Sequence, residues 1–329
     1  MHWIIFLISS LVTVLAGIRL TVFADKLSDK LKLGKLWIGI VLLGMVTSLP
    51  EAITTIFSII SLNAENMAVG NLLGSNNVNP MLLVMMDFLY RKGSVSDDIH
   101  PQASHRVSAF FAVVLTLIVV LEIGFSSFPK TGPLTIGGIL ICFMYFYGMH
   151  KMSKLDADPA AVIQPELQRE APESLTVIWF NLLVSAVIVT IAAIWLAKSA
   201  DTIALQTGLG RTFVGTILLA FVTSLPELVV TLSAMRLGTL DLAVGNVYGS
   251  NMTNMFILVL CGLVSPNGAL VDGVSKTHVI TGVSSMALVL ISIAGILKKG
   301  KKKYFRLGWD SIIMLILFIL GSVILYQLR

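Results

Sequence analysis

Charged residues are scarce in this sequence of 329 residues: aspartate, glutamate, lysine and arginine together make up 12%. Soluble domains carry about 25% charged residues and about 45–50% apolar ones, whereas 56% of this chain is hydrophobic and its mean hydropathy is +0.90. This composition excludes a soluble globular domain, a disordered chain and a disulfide-rich scaffold. It predicts an all-α polytopic membrane protein.

Cysteine is almost absent, since only Cys142 and Cys261 are present, and both lie within apolar runs. This placement predicts small buried side chains and not a disulfide or a metal ligand. The net charge of +5 comes from basic residues in the loops between apolar runs. Because basic loops mark the cytoplasmic side of a membrane protein, topology explains the charge, and we expect no nucleic-acid partner.

Ten apolar runs, separated by polar or charged segments, are long enough to cross a lipid bilayer. The predicted spans are 3–23, 36–62, 67–90, 105–124, 132–149, 175–197, 212–237, 241–265, 278–297 and 308–328. Most lysine and arginine residues fall near the loops that follow odd-numbered spans, which the positive-inside rule places in the cytoplasm. The sequence therefore predicts a multi-pass protein of the plasma membrane with both termini outside.

One sequence pattern occurs twice. Residues 46–51 and 222–227 both read Val-Thr-Ser-Leu-Pro-Glu, and residues 70–76 and 245–251 share Gly-Asn-x-x-Gly-Ser-Asn. Each copy contains five predicted spans, an odd number, so the second copy enters the membrane from the opposite side, as in many secondary transporters. We expect ten transmembrane helices, arranged as a first five-helix repeat at 1–149, a cytoplasmic linker at 150–174 and a second, inverted repeat at 175–329.

A glutamate lies in the middle of an apolar run in each copy, at Glu51 and Glu227. A charged side chain at the bilayer centre costs about 3 kcal/mol or more, so such residues face a cavity, a partner or an ion. Pro50 and Pro226 precede the glutamates, and each frees a backbone carbonyl one turn earlier in its helix. Arg19 is the only basic residue embedded in a span, and it cannot pair with both glutamates.

Hydroxyl side chains accompany both glutamates. Thr47 and Ser48 precede Glu51 by four and three residues, which places all three on one helical face. Thr223 and Ser224 have the same spacing from the second glutamate. Carboxylate, hydroxyl, amide and carbonyl oxygens suit Ca²⁺ and Na⁺, whereas Zn²⁺ prefers nitrogen and sulfur ligands. The pattern predicts a site for hard cations.

The second part of each motif supplies a stripe of polar side chains at intervals of four residues. The stripes are Asn71, Ser75 and Asn79 in the first copy and Asn246, Ser250 and Asn254 in the second. Glycine pairs within the same motifs have the spacing that lets helices approach closely. We expect these stripes to form the wall that faces the glutamates.

The doubled motifs resemble the two alpha repeats of the sodium/calcium exchanger family, within the cation/Ca²⁺ antiporter superfamily, in its prokaryotic form. The resemblance implies that Ca²⁺ and Na⁺ are the transported ions and that no cofactor takes part. It implies Ca²⁺ coordination by Glu51, Glu227, Thr47 and Thr223. It implies further Na⁺ ligands at Ser48, Ser224, Ser75 and Ser250, and at the backbone carbonyls near Gly44 and Ala220.

Asn254 departs from several family members, which have aspartate at that position. Asn79 and Asn254 therefore bring two amides to the predicted site, and Glu51 and Glu227 bring its only two formal charges. Two carboxylates neutralise one Ca²⁺, two Na⁺ or two H⁺, whereas three Na⁺ would leave one positive charge. The stoichiometry and the coupling ion stay open, with H⁺ and K⁺ still to be considered.

Other charged residues are weaker candidates for the site. Arg19 has several open partners, namely Asp25, a backbone carbonyl or the membrane interface. Asp87, Glu122 and Asp241 lie near span ends, and Asp310 lies one turn into the tenth span. We expect the side chains of all four to reach the interface.

The leading hypothesis is a secondary antiporter, not an enzyme, that exchanges Ca²⁺ for Na⁺ by alternating access as a monomer in the lipid bilayer. An H⁺-coupled antiporter of Ca²⁺ or another cation, using the same glutamates, is the alternative. A cation channel would conduct without a counter-ion, and a structural scaffold would tolerate glutamine in place of both glutamates. An intramembrane metalloenzyme is disfavoured because histidine-rich and paired-aspartate catalytic motifs are missing.

Overall fold

The computed structural model describes residues 2–62, 64–90, 94–99, 103–125, 130–131, 134–156, 173–206, 222–265, 268, 274–298 and 307–328. These residues are mostly helical, and one short antiparallel pairing joins β1 (Lys130–Thr131) to β2 (Leu134–Thr135). The helices are α1 (His2–Leu31), α2 (Lys35–Ile38), the π-helical segment π1 (Gly39–Leu43), α3 (Gly44–Thr47), α4 (Leu49–Leu62), α5 (Glu65–Leu89), α6 (Val95–Asp98), α7 (Ala103–Gly124), α8 (Ile136–Asp156), α9 (Leu175–Gln206), α10 (Leu225–Leu237), α11 (Leu240–Val264), α12 (Thr277–Lys298) and α13 (Trp309–Gln327).

Seven helical segments of the described residues are long and apolar enough to cross a membrane. They are His2–Leu31, Lys35–Ile60, Ala103–Gly124, Leu175–Leu196, Leu240–Val264, Thr277–Lys298 and Trp309–Gln327. Helices α5, α8 and α10 overlap the third, fifth and seventh predicted spans, and the number of ten spans stays a prediction. Helix α8 extends into the predicted linker, of which residues 157–172 lie outside the described residues.

The helix that carries Glu51 is broken at the residues that precede the glutamate. Helix α2 passes into π1 and α3, and the backbone leaves helical geometry at Ser48, with φ −84° and ψ 0°. Ser224 has the equivalent place in the second copy, with φ −82° and ψ 9°, directly before α10. Because Pro50 and Pro226 cannot donate a backbone hydrogen bond, both copies break at the same motif.

The broken helix of the first half packs directly against α11, which is buried along most of its length. A Cβ atom on Gly39 would lie 2.9 Å from the Cα atom of Gly245. A Cβ atom on Gly44 would lie 2.7 Å from the backbone carbonyl carbon of Gly249. Only glycine allows this approach of two backbones, so the glycine pair of the second motif brings the two halves into contact.

Helices α1 and α9 pack along each other at the periphery, and Arg19 connects them. Its Nε atom donates to Asn181 Oδ1 at 3.2 Å, and its Nη2 atom contacts the same oxygen. The guanidinium carbon also lies 5.8 Å from the centroid of the Phe23 ring. Asn181 is not among the partners that the sequence suggested, and Asp25 pairs instead with Lys35 at 2.5 Å.

Candidate cation site

Glu51 and Glu227 lie in the first turns of α4 and α10, directly after the two helix breaks. Both side chains are buried, with 0% and 1% of their surface exposed. Among the residues that the structure describes, no basic side chain forms an ion pair with either carboxylate. Buried carboxylates without a basic partner are costly unless they bind a proton or a cation.

Each carboxylate lies beside hydroxyl groups that come from the opposite half of the chain. Thr223 and Ser224 lie next to Glu51, and Thr47 and Ser48 lie next to Glu227. All four hydroxyl residues are buried. The sequence places each hydroxyl pair on the helix of its own glutamate, whereas the tertiary structure also brings it to the glutamate of the other half.

Ser75 links the two halves at the first glutamate. Its Oγ atom donates to Glu51 Oε1 at 3.4 Å, and Ser224 Oγ donates to Ser75 Oγ, also at 3.4 Å. Ser75 belongs to α5 and Ser224 precedes α10. Two residues that the sequence predicted as ligands from different motifs are therefore neighbours.

Ser250 has the same place in the second motif as Ser75 in the first, and it contacts the broken helix of the first half. Its Oγ atom lies 3.3 Å from Thr47 Oγ1 and donates to the Gly44 carbonyl oxygen at 3.5 Å. Thr47 Oγ1 also donates to the Leu43 carbonyl oxygen at 2.9 Å. The predicted carbonyl at Gly44 thus contacts one predicted hydroxyl ligand, Ser250, which in turn contacts a second, Thr47. Its counterpart Ala220 lies outside the described residues.

Asn71 and Asn246 each form hydrogen bonds from a polar stripe to the helix that carries the glutamate of the same half. Asn71 Nδ2 donates to Thr55 Oγ1 at 3.1 Å, and Asn246 Nδ2 donates to Thr231 Oγ1 at 3.0 Å. Each amide also donates to the backbone carbonyl of that glutamate, at 3.4 Å and 3.3 Å. These asparagines hold the two helices of one motif together.

Four asparagines join α5 to α11, next to Ser75 and Ser250 in sequence or one helical turn beyond them. Asn79 Nδ2 donates to Asn251 Oδ1, and Asn254 Nδ2 donates to Asn76 Oδ1, both at 2.9 Å. The four-residue spacing that selects Asn79 and Asn254 passes over Asn76 and Asn251, although both stand at the end of the doubled Gly-Ser-Asn. That duplication is the signal that marks them.

The predicted site contains buried oxygen atoms that accept no hydrogen bond from the described residues. They are Ser48 Oγ, Glu51 Oε2, both carboxylate oxygens of Glu227, Asn79 Oδ1 and Asn254 Oδ1. Acceptors without donors are expensive to bury. Carboxylate and amide oxygens are the ligands that hard cations prefer, so this donor set suits Ca²⁺ or Na⁺.

Asp87, Asp310 and Glu122 do not reach the membrane interface as expected, because all three are buried, with 1%, 4% and 5% of their surface exposed. Asp87 accepts the backbone N–H groups of Val95 at 2.7 Å and Gly308 at 2.6 Å. Asp310 accepts the Ser96 hydroxyl at 2.6 Å. Hydrogen bonds from α6 and from the residue before α13 make burial of Asp87 and Asp310 favourable, and both lie in contacts apart from the predicted cation site.

The family model described as sodium/calcium exchanger protein matches residues 1–149 and 177–327 of this chain. The sodium/calcium exchanger MaX1 of Methanosarcina acetivorans is 26% identical, over 93% of each chain. The putative antiporter CaxA of Alkalimonas amylolytica is also 26% identical, over 82% of this chain and 83% of the relative.

A solved structure of the sodium-calcium exchanger NCX_Mj, soaked with Na⁺ and Sr²⁺, superposes with a TM-score of 0.75 at 19% sequence identity. The superposition covers 98% of this chain and 99% of that one. A likeness at this level of identity establishes the fold, and it confirms the all-helical, membrane-type architecture.

Proposed function

This chain belongs to the sodium/calcium exchanger protein family, whose members are multi-pass membrane proteins that transport cations, and we propose that it is a secondary antiporter that exchanges Ca²⁺ for Na⁺. The two ions compete for one site, built on Glu51 and Glu227, that is open to one side of the membrane at a time. The relatives named as a sodium/calcium exchanger and a putative antiporter support this class of activity.

One observation carries the proposal: two glutamates from the two halves are buried close enough to repel each other, without a basic partner among the described residues. The predicted ligands Thr47, Thr223, Ser48, Ser224, Ser75, Ser250 and Gly44 lie around them. The unpaired amide oxygens of Asn79 and Asn254 complete an oxygen-only donor set. Ala220 is proposed on the resemblance alone.

The charge of this pair accounts for obligatory exchange. An empty site would carry two negative charges through a barrier of low dielectric constant, which is costly. One Ca²⁺ neutralises these charges, and bound Na⁺ ions neutralise them as well. Only the loaded protein therefore changes its access, and each ion leaves on the side where its competitor can enter.

The proposed architecture is ten transmembrane helices in two inverted five-helix repeats, at 1–149 and 175–329, joined by a cytoplasmic linker. Both termini lie outside the plasma membrane, as the distribution of basic residues predicts. One chain supplies all the proposed ligands, so a monomer is sufficient for transport. The matching helix breaks at Ser48 and Ser224 support the repeat, since discontinuous helices commonly form the site in inverted-repeat transporters.

The test is uptake of ⁴⁵Ca²⁺ into liposomes that contain the purified protein and internal Na⁺, diluted into Na⁺-free buffer at equal pH. We expect uptake that requires internal Na⁺ and disappears when choline replaces it. Glu51→Gln and Glu227→Gln should each reduce uptake to the level of empty liposomes, because each removes one of the two charges that bind Ca²⁺.

Glu122→Gln is the matched control, since Glu122 is also a buried glutamate of a membrane-length helix, with 5% of its surface exposed. This variant should retain Na⁺-dependent uptake. Uptake that ignores Na⁺ but follows an imposed pH gradient would replace the proposal with H⁺-coupled antiport. Uptake without any counter-ion would indicate a channel, and full activity of both glutamine variants at the site would overturn the assignment of the glutamates.

A further inference from the structure

The orientation of the Asn76 side chain is determined by its hydrogen bonds. Its Nδ2 atom donates to the backbone carbonyl oxygen of Asn251 at 3.1 Å. A carbonyl oxygen can only accept, so the amide nitrogen of Asn76 must face it. The Oδ1 atom of Asn76 consequently faces the other way, where it accepts from Asn254 Nδ2 at 2.9 Å.

Asn251 is oriented by the same logic from the other half of the chain. Its Nδ2 atom donates to the backbone carbonyl oxygen of Asn76 at 3.2 Å. Its Oδ1 atom accepts from Asn79 Nδ2 at 2.9 Å. Asn76 and Asn251 are both buried, with 0% and 1% of their surface exposed, so water does not offer these groups an alternative partner.

These contacts decide which way the amides of Asn79 and Asn254 point. Each must present its nitrogen to an oxygen of Asn251 or Asn76, because the reverse orientation would place two acceptors in contact. The Oδ1 atoms of Asn79 and Asn254 are therefore directed away from the amide cluster, and both are buried without a donor among the described residues. Two amide oxygens are thus held ready for a cation.

Pro80 supports this arrangement from within α5. It follows Asn76 by four residues and has no N–H group, so it leaves the Asn76 carbonyl oxygen without its usual helical partner. That oxygen instead accepts Asn251 Nδ2 and the Ser285 hydroxyl of α12, the latter at 2.9 Å. Met255 stands at the equivalent place in the second copy. The proline of the first half thus provides an acceptor for the second half.

We propose that Asn76 and Asn251 are positioning residues of the cation site, which hold Asn79 and Asn254 with their carbonyl oxygens directed at the bound ion. This inference rests on the proposed function, because it takes the glutamate pair to be the cation site. Amide oxygens add ligand dipoles without charge, so the cluster completes the coordination of a hard cation while the site keeps its two negative charges.

The test compares Asn76→Ala with Asn77→Ala in purified full-length protein. Asn77 is a buried asparagine of the same helix, and its Nδ2 atom donates to the Thr281 carbonyl oxygen at 2.8 Å, away from Asn79 and Asn254. Equilibrium binding of ⁴⁵Ca²⁺ and its displacement by Na⁺ give the two affinities, and the melting temperature reports on folding. We expect Asn76→Ala to weaken at least one affinity by about 10–100-fold, as loss of an outer-shell partner does at metal sites.

A double-mutant cycle separates positioning from general destabilisation. If Asn76 acts through Asn254, Asn76→Ala should cause little further loss of affinity in an Asn254→Ala background. The same cycle with Asn251 and Asn79 provides an independent test and replaces the first where Asn76→Ala does not fold. Affinities within twofold of those of Asn77→Ala, or fully additive losses in both cycles, would overturn the proposal.

The unsubstituted protein distinguishes this inference from the proposed function. If it binds ⁴⁵Ca²⁺ and exchanges it for Na⁺ while the variants behave like Asn77→Ala, only the positioning role fails. If it neither binds nor exchanges these ions, the proposed function fails, and the positioning role fails with it.

Discussion

Asn76 and Asn251, which lie 175 positions apart, donate their side-chain amides to each other's backbone carbonyl oxygens, at 3.1 Å and 3.2 Å. A contact in which residue i binds j and j binds i in the same manner is the signature of a two-fold axis. Asn79 and Asn254 repeat that symmetry one turn further along. This reciprocity supports the proposed inverted repeat, because two copies related by such an axis meet through the same residues.

Exchange of three Na⁺ for one Ca²⁺ should move charge, because three positive charges cross the membrane in one direction and two in the other. The two glutamate charges balance one Ca²⁺, so the extra charge moves mainly with the Na⁺-loaded site. For Ca²⁺ uptake driven by internal Na⁺, one net positive charge leaves the liposome. An inside-positive K⁺ diffusion potential should therefore increase ⁴⁵Ca²⁺ uptake, and an inside-negative potential should reduce it. Uptake that is indifferent to the potential would indicate electroneutral exchange with two Na⁺ or two H⁺.

Gly249→Ala should destabilise the protein, because the close approach of the two halves leaves no space for a side chain. The added Cβ atom would lie 2.5 Å from Ile40 Cα and 2.6 Å from the Ile40 carbonyl oxygen. Backbone atoms cannot rotate out of such a contact as a side chain can. Overpacking of this kind costs about 1–3 kcal/mol. The melting temperature of the protein in detergent is the measurement, and it should fall.

Gly321→Ala is the control for this substitution, since its Cβ atom would meet only the Ser284 side chain among the described residues, with Ser284 Oγ at 3.2 Å. A serine hydroxyl can rotate, and alanine favours a helix over glycine by about 1 kcal/mol. We expect its melting temperature to be unchanged or higher. Equal melting temperatures for the two variants would contradict the backbone-to-backbone contact.

Asn254→Asp should make transport dependent on pH through the amide cluster. Asn76 Oδ1 needs a donor from residue 254, and an ionised aspartate would present an oxygen there instead. A protonated aspartate supplies an O–H group, so the ratio of variant to unsubstituted ⁴⁵Ca²⁺ uptake should be highest at low pH and fall as pH rises. Both proteins share the glutamates, so the effect of glutamate titration on uptake cancels in this ratio. A ratio that stays constant or rises with pH would show that the orientation of residue 254 does not matter.

Asp87→Asn should weaken the end of α5 without changing the cation site. The two oxygens of Asp87 accept backbone N–H groups from Val95 and Gly308, and an amide would set its own N–H₂ group against one of them. An unsatisfied buried donor costs about 1–3 kcal/mol, so the melting temperature should fall while the affinity for ⁴⁵Ca²⁺ stays the same.

Asp97→Asn, in the neighbouring helix α6, serves as the comparison because its backbone N–H donates to Ser94 and its side chain has no hydrogen bond to the described residues. It should melt like the unsubstituted protein. A loss of affinity in Asp87→Asn at an unchanged melting temperature would mean that Asp87 acts on the cation site.

Much of the proposed site could be predicted from sequence, because many of its ligands lie within a few residues of each other on one helix. The three- and four-residue intervals that join Thr47 and Ser48 to Glu51 are properties of any helix, and the duplication of the motif gives each ligand a counterpart. Intervals do not indicate which helix faces which. The crossing of hydroxyl pairs to the opposite glutamate is therefore visible only in the tertiary structure.

The expectations that differ from the structure concern residues whose partners are distant in sequence. Arg19 binds Asn181, and Asp87 binds the backbone of Gly308. A charged residue near a span end can reach the interface or bind a neighbouring element. The hydropathy of the sequence around it is the same in both cases and therefore does not distinguish them. Which of the two occurs depends on whether a distant part of the chain brings hydrogen-bond donors to the charged side chain. The spacing of residues along one helix carries no information about this.

The class of fold, the doubled motif and the two carboxylates within apolar runs follow from the amino-acid sequence alone, because hydropathy, repetition and charge are properties of the chain that need no partner. The contacts through which Asn76 and Asn251 orient the amides of Asn254 and Asn79, and the contact between glycines of opposite halves, are seen in the three-dimensional packing and could not be read from the sequence. A hydrogen bond is directional and short, so its partner is settled by how helices cross and rotate against each other. Those angles follow from packing over the whole molecule and not from any one segment.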